Sequence, residues 1–160
     1  MLTFFLSGSY LSQILTMRVK TLKELSMMLS DMKNLFEYSC PTLNDMIIAL
    51  SQKRSLDNLS FLKDCAIRLK NKEPFPSAWS CALINNRARL KIKSDVFNLL
   101  LSFGEDLVTT ALEGQISICE MHKKLIDESL NYAQTNAQKY SKLLAPLGLL
   151  LGAAAAVMLI

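Results

Sequence analysis

The chain has 160 residues, of which 51% are hydrophobic and 20% charged, and its formal net charge at pH 7 is +4. All 18 Lys and Arg and all 14 Asp and Glu lie between Arg18 and Lys142, so both ends are uncharged. This layout excludes an ordinary soluble monomer, and the small charge excess does not call for nucleic acid as a partner. Only five Gly and four Pro are present, which favours long helices and argues against Gly-rich phosphate-binding loops.

The uncharged start, residues 1–17, mixes apolar residues with Ser, Gln and Thr. It lacks a basic leading region and a small-residue cleavage site, so it predicts a short or partial membrane segment rather than a cleaved signal peptide. Arg18 follows this segment at once, and Lys142 directly precedes the apolar end. By the positive-inside rule, the charged middle, residues 18–142, is predicted to be a cytosolic domain.

In the first half of this domain, apolar residues recur at steps of three and four, which predicts an amphipathic helix continuing from the N-terminal segment to about Pro41. Its apolar positions are Val19, Leu22, Leu25, Met28 or Leu29, Met32, Leu35 and Phe36. Thr42 and Asp45 have the spacing of a helix cap and predict a second helix. A third helix is predicted over residues 59–69, followed by a loop over residues 71–76.

Two shorter helices should follow this loop. Ser77 is expected to cap a short helix that carries Trp79. Ser94 and Asp95 are expected to open the next helix, which Gly104 would end or bend.

No proline lies between residues 105 and 142, so one long helix is allowed there, and it could run on into the apolar end. Two adjacent apolar stripes predict that this helix is buried against at least two partners. The stripes are Leu107, Ala111, Ile118, Met121 and Leu125, and Val108, Leu112, Cys119 and Ile126. After Leu130 the sequence becomes polar, which is typical of a solvated stalk.

Residues 143–160 contain no charged and no strongly polar side chain, which predicts a C-terminal transmembrane helix. Nine Leu, Ile and Val residues favour insertion by about 3 to 5 kcal/mol on a biological insertion scale. Gly148, Gly152 and Ala156 recur at steps of four and would form a helix-packing stripe; the alternative is that they reflect membrane-helix composition alone. The patterns together predict an all-α, antiparallel multi-helix bundle whose long last helix continues into this segment.

Residues for catalysis or metal binding are sparse. His122 is the only histidine, and no Cys or acidic cluster lies at metal-ligand spacing to it, so no catalytic, cofactor or metal site is predicted. The four cysteines are expected to be small buried hydrophobes. Of the paired acids, Glu105-Asp106 fits a helix start and Asp127-Glu128 a solvated face.

A run of four cations stands out between the two shorter helices. Arg87, Arg89, Lys91 and Lys93 alternate with uncharged residues within a predicted linker. The run is either a solvated linker or a contact for anionic lipid or an acidic partner.

Several motifs of the chain occur in a recognisable order. They are Phe103-Gly104-Glu105-x-Leu107, Gln115, Tyr140-x-Lys142 and Leu147-Gly148-x-x-x-Gly152, preceded by the basic amphipathic residues 18–35, Tyr38-x-x-Pro41-x-Leu43 and Ala78-Trp79. With this order and spacing, the sequence resembles the stage III sporulation protein AB family over nearly its whole length. It departs from the family pattern at Val108 and Ala111, where Gly and Asp are usual.

The resemblance implies a mother-cell membrane protein of an endospore-forming bacterium, in the complex that links the mother cell to the engulfed forespore. Its soluble region would be similar to the F-type platform domain of type II secretion and type IV pilus machines. It would face the cytoplasm, carry out no catalysis, and couple a secretion-type ATPase to the channel. The partners implied are membrane lipid, that ATPase and other membrane proteins of the complex, and the sequence leaves homo-oligomer formation open.

Two other classes of protein are alternatives to this interpretation. A tail-anchored helical regulator unrelated to sporulation would need no apolar N-terminus, whereas this chain has one. A membrane-embedded enzyme would need polar or ionisable side chains within a span, and residues 143–160 contain none.

Overall fold

The computed structural model describes the backbone of residues 2–39 and 41–158, and the side chains of residues 13–39 and 41–139. Within this part the chain forms six α-helices and a short 3₁₀ helix, Arg54–Leu56, with no strand. The helices are α1 (Leu2–Tyr38), α2 (Leu43–Ser51), α3 (Ser60–Lys70), α4 (Phe75–Leu90), α5 (Ser94–Thr109) and α6 (Leu112–Met158). The prediction of an all-α bundle is confirmed.

Each helix from α2 to α6 packs against its neighbour in sequence, and α6 returns to pack along α1, which closes the bundle. Ser26 of α1 donates a hydrogen bond to Asp127 of α6 at 2.5 Å, and Lys33 of α1 lies 2.5 Å from Glu120 of α6. From Ser26 to Lys33 the chain advances by seven residues, and their partners in α6, Asp127 and Glu120, are seven residues apart in the opposite direction. The two helices are therefore antiparallel.

The apolar face predicted for α1 forms one wall of the core. Leu25, Met28 and Met32 are fully buried, and Val19 and Leu35 are partly buried at its edges. The sequence predicted that either Met28 or Leu29 is buried, and in the structure both face the core. The core is filled from the other side by residues of α2 to α6, including Met46, Ile47, Leu50, Phe61, Leu62, Cys65, Trp79, Ala82, Leu83, Phe97, Leu100, Phe103, Leu107, Cys119 and Ile126.

The predicted starts of α2 and α3 agree with the structure. The Thr42 hydroxyl accepts a hydrogen bond from the backbone N–H of Asp45 at 3.2 Å, which satisfies one free donor of the first turn of α2. Helix α3 begins one residue after its predicted start and buries Leu62, Ala66 and Leu69 on one face.

The start predicted for α4 is wrong. Ser77 is not the cap, because the helix begins at Phe75 with Pro74 as its N-cap residue and Pro76 in its first turn. Proline is tolerated there since the first N–H groups of a helix have no partner within it. The helix is also not short: it continues for 16 residues, so Arg87 and Arg89 lie in its last turn rather than in a linker.

The boundary between α5 and α6 also differs from the prediction. Gly104 does not end α5, which runs on to Thr109, and the break falls at Thr110, whose backbone is extended. The Thr110 hydroxyl donates to the carbonyl oxygen of Asp106 at 2.7 Å, and the Gln115 side chain donates to that of Leu107 at 2.8 Å. In a continuous helix these two carbonyl oxygens would accept hydrogen bonds from backbone N–H groups; here side chains supply the donors. Residues 105–142 therefore form parts of two helices and not the one long helix predicted.

The polar stretch after Leu130 is not a free stalk. It lies alongside α1, with Ala133 only 6% exposed and Leu130 packed against the core, while Gln134 and Thr135 face solvent as predicted. The apolar stripes are likewise only partly buried. Cys119 and Ile126 lie in the core, but Met121 is 53% and Leu125 39% exposed.

Candidate interaction surface

Two motif residues, Phe103 and Gly104, pack against Trp79 at the interface of α4 and α5. The Phe103 and Trp79 rings lie 5.8 Å apart between centroids. A Cβ atom at Gly104 would overlap the indole ring, so only glycine leaves room for Trp79 here. The motif therefore has a structural role that spacing alone did not predict.

His122 is buried in a structural position, with 2% of its surface exposed. Its Nδ1 atom lies 3.0 Å from the carbonyl oxygen of Ile118, and its Nε2 atom lies 3.8 Å from the Asp106 carboxylate. Its ring meets that of Phe103 edge to face, at 5.1 Å. Among the described residues, no three His, Cys, Asp or Glu side chains come together as a metal site.

The acidic pairs match their predicted roles only in part: Glu128 is exposed as predicted, but the other acids make specific contacts or lie elsewhere in a helix. Glu105-Asp106 lies near the end of α5 rather than at a helix start, and Asp106 faces His122. Asp127 is not simply solvated, because it accepts hydrogen bonds from Ser26 and, at 2.5 Å, from Lys123. Although burial opposes its ionisation, these two donors together lower the pKa of Asp127.

Two of the cysteines are buried, as predicted. Burial raises the pKa of the Cys65 thiol and of the Cys119 thiol to about 12. Cys81 is half-buried, and Cys40 lies outside the described residues.

The four cations of the predicted linker lie at one end of the bundle, which we call the base. There the turn between α4 and α5 meets α1, since Arg18 Nε donates a hydrogen bond to the carbonyl oxygen of Lys91 at 3.1 Å. The same turn meets α6 through Lys93, whose ammonium lies 4.6 Å from the ring centroid of Tyr132. Arg18 therefore lies beside the four predicted cations. The sequence did not predict this, because Arg18 and Lys91 are 73 residues apart in the chain.

A groove of about 380 Å³ opens beside this turn, between α1, α5 and α6. Its floor is mainly apolar, and its charged residues are two cations, Arg18 and Lys93, and two carboxylates, Asp95 and Glu128. Its remaining lining residues are Leu15, Leu22, Val96, Leu99, Leu125, Ser129, Tyr132, Ala133 and Asn136.

The predicted membrane segments fall largely beyond the described side chains. The C-terminal stretch, residues 143–160, lies outside them, and so do its packing residues Gly148, Gly152 and Ala156. Of the N-terminal segment, only residues 13–17 have described side chains. Where side chains are described, no helix combines the length and the hydropathy that a bilayer span requires.

Comparison with known proteins connects this bundle to sporulation. All of residues 1–160 match the family model for stage III sporulation protein AB, so the chain belongs to that family. A solved structure of "Stage III sporulation protein AB (SpoIIIAB)" has a similar fold, with a TM-score of 0.65 and 17% sequence identity. The match covers 76% of this chain and 97% of that one. No curated protein sequence matches the chain.

Proposed function

We propose that the protein is a non-catalytic membrane platform of the complex that joins mother cell and forespore, and that it couples a cytosolic secretion-type ATPase to the membrane channel. The observation that carries the proposal is the match of the whole chain to the stage III sporulation protein AB family. That match supports a sporulation role over a tail-anchored regulator of another process.

The proposed attachment to the mother-cell membrane rests on residues 143–160, whose uncharged, Leu- and Ala-rich sequence suits a bilayer span. The course of the helices is compatible with it, because α6 passes through the base of the bundle before it reaches that segment. In this arrangement the bundle stands on the cytoplasmic face of the membrane with its base toward the lipid.

The opposite end of the bundle is then the surface available to a cytosolic ATPase. The turn between α5 and α6 lies there, flanked by Val108 and Leu112, whose side chains are 47% and 42% exposed. Exposed apolar side chains close together are common in protein–protein interfaces. We therefore place the proposed ATPase contact at this turn.

The test is a deletion of the gene in a spore-forming host, complemented by variants of this chain. Arrest just after engulfment, rescued by the intact chain but not by one lacking residues 143–160, is the expected result. Normal spore yield in the deletion strain would contradict the proposal.

The ATPase contact has its own test in the same strain. Val108→Asp with Leu112→Asp should reduce spore yield and capture of the ATPase while leaving the amount of protein in the membrane unchanged. The matched control is Ile67→Asp with Ile84→Asp, which places the same charges at two other exposed apolar positions, on α3 and α4. Equal effects from the two pairs would contradict the placement at the α5–α6 turn.

A further inference from the structure

Cations from α1, from the last turn of α4 and from the turn before α5 lie close together at the base of the bundle. Lys33, Lys53 and Lys123 each form an ion pair with a carboxylate at 2.9 Å or less. Within the described part of the chain, no such ion pair involves any cation of the base. We call these cations the basal set; they are Arg18, Arg87, Arg89, Lys91 and Lys93.

Contacts within the bundle hold some of the basal set in place without neutralising it. The guanidinium of Arg87 lies 4.6 Å from the ring centroid of Phe97 and donates to the Ser94 hydroxyl at 3.3 Å. Lys91 ends α4 in a left-handed conformation, with φ of 53°. Arg87 and Arg89 in the last turn of α4, and Lys91 and Lys93 in the turn that follows, are all exposed to solvent.

The charge balance at the base favours an anionic ligand. In the groove, the cations Arg18 and Lys93 are matched by the carboxylates of Asp95 and Glu128. The excess positive charge is therefore carried by Arg87 and Arg89, in the last turn of α4, and by Lys91 at its C-cap. Arg87, Arg89 and Lys91 also suit the C-terminal end of the α4 dipole, but this effect is local and leaves their exposed charges available to an external anion.

We propose that the basal set binds the phosphate headgroups of anionic phospholipids at the membrane surface. The inference rests on the proposed membrane attachment, which turns the base toward the bilayer. Each Lys or Arg near an anionic surface adds to the attraction, which falls off within a Debye length. The basal set would thus help to fix the tilt of the bundle on the membrane.

The experiment measures lysine acetylation by mass spectrometry on the full chain reconstituted into liposomes, with a reagent that does not cross membranes. One preparation contains phosphatidylcholine alone, and the other contains phosphatidylglycerol as well. Lys91 and Lys93 are scored relative to Lys70 and Lys72, which lie around the α3–α4 loop at the other end of α4. This internal ratio cancels differences in the orientation of the inserted chains.

We expect acetylation of Lys91 and Lys93 to be at least fivefold slower with phosphatidylglycerol. Arg87→Gln with Arg89→Gln should remove most of this protection, whereas the control pair Lys70→Gln with Lys72→Gln, scored against Lys124, should retain it. Equal rates in the two lipids would overturn the proposal and leave an acidic protein as the partner to test next.

Carbonate extraction of the same liposomes separates this inference from the proposed function. A chain that carbonate removes, but whose Lys91 and Lys93 are still protected, contradicts the membrane span and supports lipid binding. A chain that resists extraction but shows no protection contradicts lipid binding alone.

Discussion

The indole nitrogen of Trp79 donates a hydrogen bond to the carbonyl oxygen of Leu100 at 2.8 Å, across the interface of α4 and α5. A carbonyl oxygen in a helix normally accepts a hydrogen bond from its own helix. The additional bond from Trp79 holds the indole ring close to the backbone of α5. The ring then covers Gly104, one turn further along, where no side chain obstructs it.

This arrangement predicts that Gly104→Ala destabilises the protein. Alanine favours a helix over glycine by about 1 kcal/mol, yet its methyl group would displace the Trp79 ring, at a cost of about 1–3 kcal/mol or more. Urea unfolding measures the change. Ser102→Ala, at an exposed position of the same helix, is the control and should stay within about 0.5 kcal/mol of wild type. A Gly104→Ala protein as stable as the control would contradict this packing.

A buried carboxylate links α1 to the start of α3. Glu24 is 7% exposed and accepts hydrogen bonds from the backbone N–H of Asn58, at 3.1 Å, and from the Asn58 side-chain amide. Glu24→Ala leaves these donors without a partner and should cost about 1–3 kcal/mol, whereas Glu24→Gln retains an acceptor and should cost less. The two variants are compared by thermal unfolding, with the exposed neighbour substitution Lys23→Ala as the control. Equal losses from Ala and Gln would argue against the hydrogen bonds.

The buried thiols predict a pH dependence. Because burial raises the pKa of Cys65 and Cys119 to about 12, both favour the folded state while protonated. Their contribution is complete below the unfolded pKa of about 8.5 and is lost as the pH rises toward 12. Stability should therefore fall across this alkaline range, and less steeply in a Cys65→Ala, Cys119→Ala variant. Stability curves of equal slope for the two proteins would contradict the assignment.

The same burial predicts the order in which the thiols are alkylated. At pH 8, Cys81, which is half-buried, should react with iodoacetamide well before Cys65 or Cys119. Mass spectrometry of the peptides gives the three rates separately. Early modification of Cys119 would contradict its position in the core.

The left-handed residue after α3 offers a stabilising substitution. Lys72 has φ of 65°, a conformation that costs a side chain about 1–2 kcal/mol and glycine almost nothing. Lys72→Gly should therefore raise the thermal midpoint. Lys70→Gly, within the last turn of the helix, makes the same chemical change at an ordinary φ and should lower it. If both substitutions lowered the midpoint, the left-handed turn would be in question.

The small-residue stripe predicted from the sequence can be tested in the membrane. Replacing Gly148 and Gly152 with Leu should weaken association of the C-terminal segment by about 1 kcal/mol if these residues pack against another helix. A membrane two-hybrid assay measures the change, with Leu147→Ile as a control that adds no bulk. Unchanged association would remove this stripe as a packing surface.

Much of the bundle follows from local patterns in the sequence. The steps of three and four in α1 identified its buried face, and the Thr42 cap identified the start of α2, because both depend on residues close in sequence. The break at Thr110 escaped prediction, since no Gly or Pro marks it and the side chain that satisfies Leu107 comes from Gln115 in the next helix. The position of Arg18 beside Lys91 depends wholly on tertiary packing.

The pairing of α1 with α6 has a consequence for how the protein is made. Helices α2 to α5 can each pack on a neighbour that precedes them in the chain, so their contacts form as synthesis proceeds. The apolar face of α1 is synthesised first, but the helix that pairs with it through Ser26–Asp127 and Lys33–Glu120 is synthesised last. The nascent chain must therefore keep α1 from aggregating until α6 has left the ribosome, a period in which a nearby membrane or a chaperone would protect it.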